Sequence, residues 1–235
     1  MKVIDLTDRE IISKCNFLIE HNMTSSIVTL NSLMLKSLWH DPELASAVKR
    51  ASLITADSVG ICLASRVLDK RKVFRYPGID MMKDLIGQGW RVFLMGGREG
   101  VSSCAADRLK EAYPHAKLCG TYHGYFKESD KDEVIRLINE AEPDILFIGL
   151  DTPRQEIWIN ENRGKINAKL IIGIGGSLDV ISGSIKRAPG FWRLMGIEWL
   201  WRMFMEPWRL IRIVRLPGFM LEVLWRYLQK KPLID

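Results

Sequence analysis

Short apolar runs, each stopped by glycine or a small polar residue, recur along the first three-quarters of this chain. They are Ser26–Leu30, Ala51–Thr55, Arg91–Met95, Asp144–Leu150 and Lys169–Ile174. A strand with one wet face alternates apolar and polar residues, whereas continuous runs of this length fit strands buried on both faces. Between them, Ser32 to Lys49 carries Leu33, Leu38, Leu44 and Val48 at helical spacing, and Val101 to Tyr113 reads as a helix closed by Pro114. Strands separated by helices predict an α/β fold: a Rossmann-like, mostly parallel sheet flanked by helices. That body is expected over residues 1–190, with a C-terminal helical appendage over 191–235.

The 235 residues suffice for one large domain with an appendage. No stretch approaches the roughly 18 consecutive apolar residues of a membrane-spanning helix. The charged first ten residues lack the apolar core of a signal peptide. Cys15, Cys62, Cys104 and Cys119 form no C-x-x-C pair, so reduced thiols are expected, without disulfides or a zinc site. A cytosolic protein is the expectation.

Charge divides the chain. Between Lys186 and Lys231 stand ten basic residues against Glu198, Glu206 and Glu222, a local balance of +7 within a total of +6. The body is therefore close to neutral. Five of the eight tryptophans, Trp192, Trp199, Trp201, Trp208 and Trp225, share the basic stretch. Leu194 to Met205 is apolar around nearly its whole circumference, Pro207 interrupts it, and Pro217-Gly218 is expected to break the chain again before Phe219 to Leu228. Arg209, Arg212 and Arg215 recur every three residues and would occupy one side of a helix.

Ligands of open α/β sheets sit beyond the carboxyl ends of the strands, which directs attention to Thr29 and Asn31, Asp57, Gly96-Gly97, Asp151 to Gln155, and Gly175-Gly176 to Asp179. No G-x-G-x-x-G or G-x-x-x-x-G-K-[ST] occurs, so neither a dinucleotide fingerprint nor a P-loop is present. The Gly96-Gly97 turn, opening a helix, could cradle a phosphate or be a plain turn. Asp130-Lys131-Asp132 has the look of a metal-holding D-x-D, but acids at a helix start are the simpler explanation. The four histidines lack ligand spacing, so no metal and no cofactor are expected.

In order, Thr29-Leu30-Asn31, Asp57-Ser58-Val59-Gly60, Arg75-Tyr76-Pro77-Gly78-Ile79-Asp80, Gly124-Tyr125-Phe126, Pro153-Arg154-Gln155-Glu156, Gly175-Gly176-Ser177-Leu178-Asp179 and Lys186-Arg187-Ala188-Pro189 resemble the WecG/TagA/CpsF glycosyltransferase family. The resemblance spans about residues 20 to 190, and Gly196 to Leu200 with Glu206-Pro207 extends it into the tail. It implies a bacterial enzyme of cell-surface polymer synthesis. Such an enzyme would move N-acetylmannosamine, or a related sugar, from a UDP donor onto N-acetylglucosamine carried by undecaprenyl diphosphate, forming a β bond. Asp57 would take the proton from the acceptor hydroxyl. Arg75 would meet the charge on departing UDP in place of a metal. Thr29, Asn31, Tyr125, Gln155 and Asp179, with the Gly96-Gly97 and Gly175-Gly176 turns, would line the donor pocket. Two departures, Ser58 and Asp151 where many members carry glycine, add side chains near that pocket.

Arginine, tryptophan and amphipathic helices together fit the headgroup region of an anionic bilayer. Basic charge among aromatics is also a nucleic-acid footprint, but a lipid-diphosphate acceptor turns the expectation to the membrane and away from nucleic acid. Arg187, Arg202, Arg209, Arg212 and Arg215 would face the acceptor diphosphate and the inner surface of the cell membrane. The exposed apolar tail would favour self-association in water. The alternatives are a transferase of the same fold for another UDP-hexose or a uronic acid donor, a non-catalytic membrane scaffold and a dinucleotide-dependent enzyme, the last disfavoured by the missing glycine fingerprint.

Overall fold

The computed structural model describes residues 3–22, 24–194, 201 and 210–234. Among them, six strands form one sheet: β1 (Ser25–Leu30), β2 (Leu53–Ala56), β3 (Arg91–Gly96), β4 (Lys117–Tyr122), β5 (Ile145–Gly149) and β6 (Leu170–Gly173). Their order is β2-β1-β6-β5-β3-β4, and every neighbouring pair is parallel. The expected α/β architecture is therefore present.

The continuous apolar runs have the physical cause expected of them, since both faces of the sheet are covered. Successive side chains of a strand point to opposite faces. Ile27, Leu53, Leu94, Phe147 and Ile172 pack against α1 (Asp8–Glu20), α5 (Gly78–Ile86), α6 (Val101–Ala112) and α9 (Ser177–Ile181). Their neighbours Val28 and Ile54 face α2 (Ser32–Leu38), α3 (Pro42–Lys49) and α4 (Val59–Leu68). Met95, Ile148 and Ile171 face α7 (Lys131–Glu140) and α8 (Arg154–Asn162). Among the described residues, α10 (Gly190–Leu194) and α11 (Leu210–Leu228) come after α9.

Three sequence expectations change. The single helix expected over Ser32 to Lys49 is two, because Asp41 accepts from the Glu43 and Leu44 N–H groups, 3.0 Å each, and Pro42 opens α3. Strand β4, half-buried at the sheet edge, lacks the apolar run that marks the others. The break expected at Pro217-Gly218 does not occur, as α11 runs through Pro217. There Gly218 lies so close to α2 that a Cβ would stand 2.5 Å from Lys36 Nζ.

The end of the tail completes the core of the body. Phe219, Val223, Leu233 and Ile234 are buried in the cluster that includes Leu35, Leu38 and Ile61. Trp39 stacks on Phe219 at 5.8 Å and donates its indole N–H to the Leu233 carbonyl at 2.9 Å. Arg226, one of the basic residues of the tail, is buried. Its guanidinium lies 4.8 Å over the Trp39 ring and donates to the Pro232 carbonyl at 3.0 Å. Most of the helix expected over Leu194 to Met205 lies outside the described residues.

Candidate active site

At the carboxyl rim, β1 and β2 end side by side, Leu30 opposite Ala56. The Asp57 N–H donates to the Leu30 carbonyl at 2.9 Å, which sets Asp57 directly past the sheet. Arg75 makes an isolated parallel bridge with Ala56, and the Tyr76 N–H donates to the Ala56 carbonyl at 2.8 Å. These bonds draw the Arg75–Asp80 turn onto the rim. Gly78, the first residue of α5, then donates its N–H to Asp57 Oδ1 at 2.9 Å, a favourable place for a carboxylate. Arg75 Nε donates to the Asp57 carbonyl at 3.1 Å. Thr29 Oγ1 donates to the Gly173 carbonyl at 2.7 Å. A Cβ on Gly78 would meet that same hydroxyl at 3.2 Å. Thr29, Asp57 and Arg75 thus converge from three segments.

The other half of the rim is backbone against backbone. Gly96 has φ +148°, and a Cβ there would stand 2.4 Å from the Gly149 carbonyl oxygen. Gly97, at φ +69°, donates to that oxygen at 3.3 Å and accepts from the Gly124 N–H at 2.8 Å. The Gly97 N–H is thereby engaged within the protein, in keeping with a turn. Arg154 holds the neighbouring loop, donating to the Gly124 and Phe126 carbonyls at 3.1 and 3.0 Å and lying 4.7 Å over the Phe126 ring. That loop presents Tyr125, which is 66% exposed.

Gln155 sits behind these loops and not on their surface. It is 1% exposed, and its Oε1 accepts from the Leu150 N–H at 3.3 Å and the Gly175 N–H at 2.9 Å. Its Nε2 donates to Glu156 Oε1 at 2.6 Å. Gln155, expected among the pocket residues, ties the end of β5 to the turn after β6. Asn31 Oδ1 caps α2, accepting from Leu33 and Met34 N–H groups at 3.1 and 3.0 Å, so that oxygen serves the helix. Gly175, at φ +50°, and Gly176 lead into α9, whose first turn carries the half-buried Asp179.

Arg187 reaches back to α5. Its Nη2 pairs with Asp80 Oδ1 in the first turn of α5, and its side chain is 18% exposed. This joins it to α5 on the Asp57 side of the rim. Arg202 and Arg209 lie outside the described residues, as do the side chains of Arg212 and Arg215. Of the two departures, Ser58 turns toward α2, where its hydroxyl accepts from the Ser32 N–H at 3.2 Å and meets Ser32 Oγ at 3.0 Å. Asp151 is exposed, two residues past the end of β5. Asp130 accepts from the Lys127 N–H and from Ser129 Oγ, which is helix-start chemistry. Among the described residues no three His, Cys, Asp or Glu side chains gather as a metal site, and the four cysteines are free.

Two carboxyl contacts escaped the sequence. The Tyr76 hydroxyl donates to Asp84 Oδ2 at 2.7 Å, and burial, then that bond, pushes its pKa up. Glu156 is 3% exposed, and burial pushes its carboxyl up to about 7. A P-R-Q-E run marked the segment, but nothing in its spacing tells a lining glutamine from a buried one.

An all-parallel sheet that gathers a carboxylate, an arginine and glycine turns at its carboxyl rim belongs with the Rossmann-like α/β enzymes. The model of the glycosyl transferase WecG/TagA/CpsF family matches residues 1–232, and the chain belongs to that family. Relatives in several bacteria bear the name N-acetylglucosaminyldiphosphoundecaprenol N-acetyl-beta-D-mannosaminyltransferase. That of Bacillus subtilis (strain 168) is 31% identical, covering 91% of this chain and 84% of the relative. That of Staphylococcus aureus (strain MRSA252) is 32% identical over 84% and 78%, and that of Bacillus spizizenii is 30% identical over 94% and 88%.

Proposed function

We propose that this chain transfers N-acetylmannosamine from a UDP donor to N-acetylglucosamine on undecaprenyl diphosphate, with inversion and without a metal. The observation that carries this reading is the Asp57 carboxylate at the end of β2, held by the Gly78 N–H, with Arg75 bound to the same residue's carbonyl. Asp57 removes the proton from the acceptor hydroxyl as its oxygen bonds to the anomeric carbon. The bond to the diphosphate oxygen breaks on the opposite face, and its electron pair leaves with UDP. Arg75 meets the charge gathering on that diphosphate. Thr29, Asn31, Tyr125, Asp179 and the Gly96-Gly97 and Gly175-Gly176 turns surround the donor. Gln155 acts through the loops it ties together.

The acceptor is a lipid, and among the described residues no helix is long and apolar enough to cross a membrane. The face of α11 turned away from the body exposes Leu221, Leu224, Trp225 and Leu228, followed by Lys230 and Lys231. Apolar and aromatic residues beside lysines suit the headgroup layer of an anionic bilayer, so we place the enzyme peripherally on the inner face of the cell membrane. The same face offers a route to self-association in water. The test is a panel of UDP-sugars with a short-chain lipid-diphosphate-GlcNAc acceptor, read by mass spectrometry with and without EDTA. UDP-N-acetylmannosamine should give a β-linked disaccharide product in EDTA. Product from a different UDP-sugar only, or only with free divalent metal, would overturn the donor or the metal-free step.

A further inference from the structure

Glu156 has no place in the transfer step, yet it is a carboxyl group buried beneath the pocket rim. Its Oε1 accepts from Gln155 Nε2. Its Oε2 is buried without a hydrogen-bond partner, and the residue lines a small cavity together with Ser26, Val28, Ala47 and Asn160. The unpartnered Asn160 Oδ1 belongs to the same lining. Arg163, the charged neighbour on that cavity, donates to the Arg50 carbonyl at 2.7 Å.

An amide has two chemically opposite ends, and the position of Gln155 demands one orientation. Its oxygen must face the Leu150 and Gly175 N–H groups; turned over, its NH2 would face those two donors and leave both without an acceptor. Gly173 presses on the same group, since a Cβ there would stand 2.3 Å from Gln155 Nε2. The acceptor that makes the observed orientation the favourable one is Glu156 Oε1.

We propose that Glu156 is a positioning residue: by accepting from Gln155 it fixes the amide that ties the β5–α8 loop to the β6–α9 turn, and so fixes the spacing of two loops around the donor. The role needs an acceptor oxygen and not a charge. A neutral carboxylic acid fills it, with its proton on Oε2 toward the Asn160 side of the cavity. The effect on the donor rests on the site assignment proposed above, while the hold on the loops does not.

The test compares Glu156→Leu, Glu156→Gln and the exchanged pair Gln155→Glu/Glu156→Gln in the full chain. Amide hydrogen exchange of Leu150 and Gly175 and affinity for UDP are the readouts. Glu156→Leu should speed exchange at both amides and weaken UDP binding about tenfold, the scale of one buried hydrogen bond. Glu156→Gln keeps the acceptor, and the exchanged pair restores the contact with donor and acceptor reversed. Neither should exchange more than about twofold faster at these amides than the parent, nor bind UDP more than about twofold more weakly. Unchanged protection in a folded Glu156→Leu variant would overturn the proposal. So would a Glu156→Gln variant as impaired as Glu156→Leu, because charge would then be the requirement. Faster exchange with unchanged UDP affinity would leave the hold on the loops standing and overturn the assignment of those loops to the donor.

Discussion

The two halves of the rim are built from different materials. On the β2–β1 side, Asp57, Arg75 and Thr29 bring charged and hydroxyl side chains to the edge, held by hydrogen bonds with neighbouring segments. On the β3–β5–β6 side, Gly96, Gly97 and Gly149 bring backbone against backbone, with Gln155 and Glu156 sealed beneath. A transferase needs both: groups that move a proton and meet a charge, and a surface close enough to seat a nucleotide without side chains in the way. The chemistry can therefore be lost on one side while the fold stands, whereas the other side ties the site to the stability of the sheet.

That division predicts what each substitution should do. Arg75→Ala should cost about 10²–10³-fold in kcat, the scale of removing one preorganised donor from a developing negative charge, while thermal unfolding stays near the parent; a fall in Tm without a fall in kcat would reverse the assignment. Gly96→Ala should act oppositely, destabilising by about 2–4 kcal/mol because its Cβ meets a backbone oxygen at a strained φ. Denaturant unfolding measures it.

Glu156→Gln should change stability in a pH-dependent way. The carboxyl of the folded protein titrates near 7, above its ordinary 4.5, so the protonated form favours the fold. That contribution is whole below about pH 4.5 and drains away as pH rises through 7. The variant has nothing to ionise, and it should gain up to about 3 kcal/mol over the parent at pH 8.5 and nothing at pH 4.5. Urea unfolding at the two pH values decides it. The smallest effect is expected farthest from the rim. Leu224→Glu, on the outer face of α11, should weaken partition onto anionic vesicles about tenfold, the worth of one apolar side chain, with kcat on a soluble acceptor unchanged.

The sequence showed the sheet because burial on both faces leaves a continuous apolar trace, as in Ile145–Gly149. Strand β4 left no such trace, since Lys117, Gly120 and Thr121 stand in a half-buried edge. Proline and glycine misled at Pro217-Gly218: packing of Phe219 and Val223 into the core outweighs a missing backbone donor, and local propensity cannot report that. Asp57 and Arg75 could be placed at the strand ends from the sequence because each stands directly past a strand or in a rigid turn. The roles of Gln155 and Arg187 were not legible, because their partners, Gly175 and Asp80, are distant in the chain and meet them only in the folded protein.

The most direct test of the account is Asp57→Asn, which keeps the acceptor oxygen for the Gly78 N–H and removes the base. Calorimetry with UDP and turnover on the lipid-diphosphate-GlcNAc acceptor should be measured on the same preparation. The account predicts UDP affinity within about threefold of the parent and turnover reduced about 10²–10⁴-fold. Turnover near that of the parent would contradict it, because the proton would then be leaving by another group.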